Sequence, residues 1–324
     1  MASKGVLLLC AVALAGCSTV SVGRPDADGP CVAEDICEFT RETDPEGLSG
    51  IGGNLYFCVD DRGGLLHEVE MLLGDEGGVE SFAVKRSVRL EGRVDLEGCA
   101  CDPLDGRVWV ADEKDTSVRQ FDPETGRETA RVELPEVFGK NVRPNRSIEG
   151  LAVTPDGFRM YAVNEDTLVC DGSPADETDG GVVRIQEFVR SRKGAKWVPT
   201  RQFRYRTDCI EGSRFKGVAI SGVSGLCAPG NGTLLVLERE MSLKNPLFPS
   251  FRARLYEVDL DTDALEPRKR VVWDEDTMFA NYEGVCLGPV LENGTRTLIL
   301  VSDGGGEAEE KVLVLLVLAL SGGK

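Results

Sequence analysis

Five recurrences of one strand–turn–strand unit, spaced 48, 52, 75 and 59 residues apart, predict an all-β propeller built from four-stranded blades. The units read LSGIGGNLYFCVDD from Leu48, LEGCACDPLDGRVWVADE from Leu96, IEGLAVTPDGFRMYAVNE from Ile148, VSGLCAPGNGTLLVLERE from Val223 and YEGVCLGPVLENGTRTLILVSD from Tyr282. The turns carry Asp105-Gly106, Asp156-Gly157, Asn231-Gly232 and Asn293-Gly294, pairs that accept the positive φ of hairpin corners. No sustained 3.6-residue period competes, so a helical solenoid is excluded. Direct counting gives five blades, and six if a degenerate blade lies between residues 149 and 224.

The chain opens with MASKGVLLLCAVALAGCSTV, a lysine followed by an apolar run too short to span a bilayer, which reads as a signal peptide over residues 1–16. Leu14-Ala15-Gly16-Cys17 resembles a lipobox, so Cys17 is the expected lipidation site, with a flexible tether over 17–32 and the propeller domain over 33–324. That assignment implies an exported lipoprotein of the bacterial envelope, at the outer membrane or in the periplasm, touching membrane only through its lipid. Ordinary secretory cleavage near Ala15 is the alternative.

The last unit shows three strands, ending in VLVLLVLAL, so a strand near Ile36 to Thr40 is expected to complete it and close the ring. The excess length of the third unit is read as an insertion around CDGSPADETDGG and FVRSRKGAKW. In the fourth, EMSLKNPLFPSFRARL (residues 240–255) reads as a packed face loop carrying Met241, Leu243, Leu247, Phe248 and Phe251.

Of eleven cysteines, Cys31 with Cys37 and Cys170 with Cys209 lie in polar segments and are the candidate disulfides. Cys58, Cys99, Cys101, Cys227 and Cys286 lie in apolar runs and read as buried thiols. The single histidine, His67, reads as a surface strand residue, which leaves no histidine-based triad. A phosphate loop of the Walker kind is absent.

A net charge of −18 excludes nucleic acid as a partner. The acids recur by position. Ser49, Glu97, Glu149, Ser224 and Glu283 start the inner strands, and Asp60, Glu113, Glu165, Arg239 and Asp303 end the second strands, so two rings of mostly acidic side chains should face one funnel. Carboxylates ~4 Å apart repel by about 4 kcal/mol per pair at an effective dielectric of about 20, so the ring needs protons, basic partners or a cation. Glu and Asp without His or thiolate suit Ca²⁺, or Mg²⁺, and Arg239 and Arg146 are the nearby cations. The competing reading pairs each acid with a neighbouring basic residue.

These repeated motifs resemble the bacterial phytase-like family, also described as esterase-like activity of phytase, over roughly residues 45 to 320. The resemblance implies phosphoester hydrolysis and carries its recurrent acids onto Glu97, Glu113, Glu149, Glu165, Glu238, Arg239, Glu283 and Asp303. The expected catalytic set is Glu149, Glu165, Arg239 and Arg146, and the expected metal set is Glu97, Glu149, Glu283, Glu113 and Asp303, with Ca²⁺ as cofactor. Two other functions fit the same sequence: a non-catalytic propeller that binds an envelope ligand or protein, and a metal-dependent lactonase or esterase.

Overall fold

The computed structural model describes residues 19–20, 32–37, 45–61, 63–75, 77–92, 95–212, 219–245, 248–277, 280–304 and 313–320. Cys17 and Cys31 lie outside them, as do the leader and most of the tether. Among the described residues no helix is long and apolar enough to cross a membrane.

Five antiparallel sheets form the five blades. Blade 1 runs Pro45–Gly52, Leu55–Asp60, Leu65–Leu73 and Val79–Arg89, and blade 2 runs Leu96–Cys101, Val108–Asp112, Ser117–Phe121 and Glu128–Val132. Blade 3 contains Ile148–Val153, Arg159–Asn164, Val182–Val189 and Val198–Arg206, and blade 4 contains Ala219–Gly230, Thr233–Asn245, Phe248–Asp259 and Lys269–Asp276. Blade 5 takes Ala280–Val290, Arg296–Gly304 and Leu313–Leu320 from one end of the chain, then Val32–Cys37 from the other. The early strand pairs Cys37 with Leu313 and Val32 with Leu318, closing the ring as expected a few residues earlier than the sequence suggested. A two-residue strand, Thr19–Val20, adds to its outer edge.

Successive residues on a strand face opposite sides of the sheet, so each strand feeds two interfaces. Tyr56 and Cys58 face blade 5, where they join Cys286, Ile299 and Val301, whereas Phe57 and Val59 face blade 2 and meet Leu96, Cys99 and Val108. The other three apolar clusters likewise sit between blades 2 and 3, 3 and 4, and 4 and 5. The core is therefore a ring of five interfaces, and the described residues form five blades with no sixth among them.

Glycines on the inner strands set how closely the blades approach. A Cβ on Gly47 would lie 2.6 Å from the Glu97 carbonyl, one on Gly98 would lie 2.3 Å from that of Glu149, and one on Gly284 would lie 2.9 Å from that of Glu46. Gly150 meets Leu226 and Gly225, and Gly225 in turn meets the Glu283 backbone. The five contacts run from each blade to the next and back to the first.

Several expectations are corrected. Residues 240–255 are not a face loop: Thr233–Asn245 and Phe248–Asp259 form one long hairpin, with Met241 opposite Phe251. The pairing extends through the segment because Ala253, Phe251 and Ser242 are buried against the blade. Cys170 and Cys209 carry free thiols. Cys170 is exposed on the turn Val169–Asp171, where Asp171 binds Arg184, while Cys209 is carried by a loop tied through the Ile210 N–H to the Asp176 carbonyl, 2.7 Å away. Cys37 ends a described strand, but its side chain, like all of Cys31, lies outside the description. Cys58, Cys99, Cys227 and Cys286 are buried and Cys101 is half-buried, as expected; burial pushes the Cys101 and Cys227 thiols up to about 12. His67 is buried, with Nδ1 2.7 Å from Ser87 Oγ and Nε2 3.4 Å from Asp60 Oδ2, because it faces the interior of blade 1.

The glycine closure generates a test. Gly98→Ala should cost about 1–3 kcal/mol by overpacking one backbone against another. Gly139→Ala, in the short helix Glu136–Asn141 with open space around it, should be neutral or slightly stabilising. Urea unfolding of the two variants reads both.

Candidate functional site

Strand register decides which acids share the channel mouth. Leu96, Ile148, Val223 and Tyr282 pair with Asp112, Asn164, Glu238 and Ser302, and in blade 1 the matching pair is Pro45 with Asp60. The residue following each inner position is then Glu46, Glu97, Glu149, Ser224 or Glu283. Ser49 was therefore the wrong first member: it lies farther down the strand, where its Oγ accepts from the Cys101 N–H at 2.8 Å. The signal was present as Glu46-Gly47, four residues before the Ser49-Gly50 pair ends, and the corrected first spacing of 51 residues nearly equals the second.

The same register replaces Asp60 by Asp61 in the second ring, beside Glu113, Glu165, Arg239 and Asp303. Asp60, Asp112 and Asn164 point into their own blades, and Glu238 points to the seam between blades 3 and 4. Asp112 binds Arg119 at 2.7 Å, and Asn164 accepts from the Arg184 N–H. Glu238, which the family resemblance had placed among the site acids, accepts from the Tyr205 hydroxyl at 2.5 Å and from Lys269 at 2.8 Å, away from the channel. Asp61 and Glu113 partly serve the frame, because each accepts from a backbone N–H of the next blade, Leu96 and Ser147 respectively. The Asp303 side chain lies outside the described residues.

Blade 4 inverts the pattern at both positions. Ser224 stands where the other blades have Glu and donates to the Tyr282 carbonyl at 2.8 Å. Arg239 stands where the others have an acid. Its Nη2 lies 2.8 Å from Glu165 and 3.5 Å from Glu149, and its Nη1 donates to Glu283. Arg146 also donates to Glu165, and the Asn281 amide donates to Glu283. The sequence-predicted catalytic residues Glu149, Glu165, Arg239 and Arg146 are thus in one connected cluster.

Among the described residues the cluster holds more carboxylates than cations. Glu46, Glu97, Glu113, Glu149, Glu165 and Glu283 face Arg239 and Arg146. Burial, then the neighbouring Glu149 and Glu46, pushes the Glu97 carboxyl well above its ordinary range. Burial and then Glu165 do the same to Glu149, against the opposing pull of Arg239. Glu113 is raised mainly by burial, with its Ser147 hydrogen bond pulling the other way. One oxygen each from Glu113, Glu149 and Glu165 lies within 4.8 Å of the others. Oxygens 2.3–2.6 Å from a common calcium fall within about that separation, so the donor set and spacing fit a hard cation. Glu97 and Glu283 belong to the same electrostatic cluster but lie outside this convergent trio.

Fold and mouth together define a five-bladed propeller whose channel ends in buried carboxylates bridged by an arginine. The chain belongs to the phytase-like family described as esterase-like activity of phytase, which it matches over residues 39–304. No curated protein matches it. Among solved structures it is similar to hydrazine synthase of Kuenenia stuttgartiensis, at 14% identity over 82% of this chain and 58% of that one, with a TM-score of 0.38. Virginiamycin B lyase of Staphylococcus aureus is 10% identical over 90% of this chain and 100% of its own, with a TM-score of 0.39. Glutaminyl cyclase of Myxococcus xanthus is 11% identical over 89% and 97%, with a TM-score of 0.40. None of these likenesses bears on chemistry.

The raised Glu149 carboxyl gives a pH test. A carboxyl raised in the folded state contributes stability below its ordinary value of 4.5 and loses it as pH rises through the folded value. Glu149→Gln keeps the neutral form at every pH. In chelator, the variant should therefore gain on wild type from about pH 5 toward pH 8, by about 1.4 kcal/mol for each unit of the shift. A variant less stable than wild type at pH 8 would mean that Arg239 holds Glu149 ionised.

Proposed function

We propose that this protein is a calcium-dependent phosphoric ester hydrolase of the bacterial envelope, exported and held to the membrane by lipid on Cys17. Membership of the phytase-like family supports the reaction class. The observation that carries the site is the convergence of Glu113, Glu149 and Glu165 beside Arg146 and Arg239.

Glu113, Glu149 and Glu165 would hold the cation. Bound there, it would supply positive charge to phosphate oxygens and acidify an attacking water. Arg146 and Arg239 can each donate planar N–H pairs to phosphate oxygens and so orient the ester. Glu149 would hold the cation in its ionised form, so the proton that burial favours on it would leave as the metal binds. The two guanidiniums on Glu165 oppose a second cation at that carboxylate, and an anion arriving with it removes the opposition. Metal and phosphate should therefore bind more tightly together than apart.

Arg239 also favours a second reading, a non-catalytic channel, because its contacts with Glu149, Glu165 and Glu283 already neutralise part of the ring. A lactonase would use the same cation with a carboxylic ester.

Turnover separates the three. With calcium, wild type should hydrolyse 4-nitrophenyl phosphate or its diester; chelator should abolish this, and Glu149→Gln or Arg146→Ala should lower kcat/KM by about 100-fold, the scale of lost charge stabilisation. Hydrolysis of lactones alone would select the ester reading. No turnover of any of them with calcium would leave the binding propeller.

A further inference from the structure

Blade 4 rises past the ring of acids. Its second strand continues beyond Arg239 to Asn245, whereas the second strand of blade 2 ends at Asp112, one residue short of Glu113. In this raised part Ile220, Met241 and Phe251 are direct cross-strand partners, so their side chains stand in one row on one face of the blade. Arg239 precedes Met241 by two positions on the same strand and shares that face, because side chains alternate. The row and the arginine line a cavity of about 110 Å³ together with Arg146 and Asn281. Ile220 and Met241 are half-buried and Phe251 is buried, so the cavity has an apolar side next to two guanidiniums.

The two sides differ in what they can receive. Arg146 and Arg239 are 24% and 22% exposed, and both donate to Glu165. Arg146 uses only Nη1 there, and its Nε and Nη2 have no partner among the described residues. Unengaged N–H groups on a guanidinium suit phosphate oxygens. Ile220, Met241 and Phe251 offer no hydrogen bond, so the hydroxyls of a polyol placed against them would lose water without replacement. An apolar group would leave water there at a gain.

We propose that the ester taken at this mouth is the phosphate monoester of a small apolar alcohol, an aryl-alkyl or short alkyl group, rather than of a polyol. The inference rests on the proposed function, which sets the phosphate on Arg146 and Arg239, and adds that the alcohol lies against Ile220, Met241 and Phe251. Hydrolysis would place the water oxygen on phosphorus, with one water proton leaving on the alcohol and the other on the phosphate.

The test is calorimetric titration of the intact protein in calcium with benzylphosphonate and with methylphosphonate, whose P–C bonds do not hydrolyse. Benzylphosphonate should bind at least about tenfold more tightly, because its ring leaves water against the apolar row. Ile220→Ser with Met241→Ser should lower that ratio to about threefold or less, with methylphosphonate binding as the check that the variant is folded. Arg146→Ala should weaken both ligands by about tenfold or more. In turnover, benzyl phosphate should exceed glycerol 2-phosphate in kcat/KM by about tenfold. Equal binding of the two phosphonates, or a ratio untouched by the double variant, would overturn the inference and leave the phosphoester reading standing. Preferential binding without turnover of either ester would overturn the hydrolase and keep the site. No binding of either phosphonate would overturn both.

Discussion

Everything at the channel mouth follows from how closely five inner strands approach one another. Each blade presents a glycine where the next blade's backbone passes, and in three of the five a Cβ would fall within 3 Å of that blade's carbonyl oxygen. Such contacts leave no room for a side chain at the glycine and carry the preceding residue toward the axis. In four blades that residue is glutamate. The Glu-Gly pair is thus one device with two parts, a glycine that closes the ring and an acid delivered by the closure.

Closure brings a cost in charge. Buried carboxylates raise one another's proton affinity, as Glu97 and Glu149 show, and the ring can relax by taking up protons, a guanidinium or a metal. Blade 4 supplies part of the answer from within the chain, since it drops one acid at Ser224 and adds Arg239. That single cation reaches Glu149, Glu165 and Glu283, on blades 3 and 5. Among the described residues the cluster still holds more carboxylates than guanidiniums, and the proposed function fills the trio Glu113, Glu149 and Glu165 with a cation. The arginines that would oppose it at Glu165 are the groups suited to an oxyanion, so on the proposed function metal and phosphate would meet at the same few residues.

The sequence disclosed the blade count, the closing strand and most of the ring, because hairpin turns and repeated Glu-Gly pairs are local signals. It misplaced blade 1, where a second small pair, Ser49-Gly50, stands close behind Glu46-Gly47 and only strand pairing tells them apart. It also could not choose between Asp60 and Asp61: adjacent residues on a strand face opposite ways, and one faces His67 inside the blade. His67 itself looked like a surface residue because its partners, Ser87 and Asp60, come from neighbouring strands. The long hairpin over 240–255 was hidden by its prolines and aromatics, which resemble a loop until the opposite strand is seen. The segment RSRKGAKW read as an insertion, whereas it joins the third and fourth strands of blade 3 and packs on blade 2 through Trp197 and Trp109.

The central claim is that Glu113, Glu149 and Glu165 share one divalent cation. The most direct measurement is an anomalous difference map from crystals grown with calcium and collected at long wavelength, with a chelated crystal for comparison. The account predicts one strong peak bonded to oxygens of all three glutamates, present only with calcium. A clean map with Arg239 still seated on Glu149, Glu165 and Glu283 would contradict it, and would leave Arg239 and Arg146 as the counter-ions found there among the described residues.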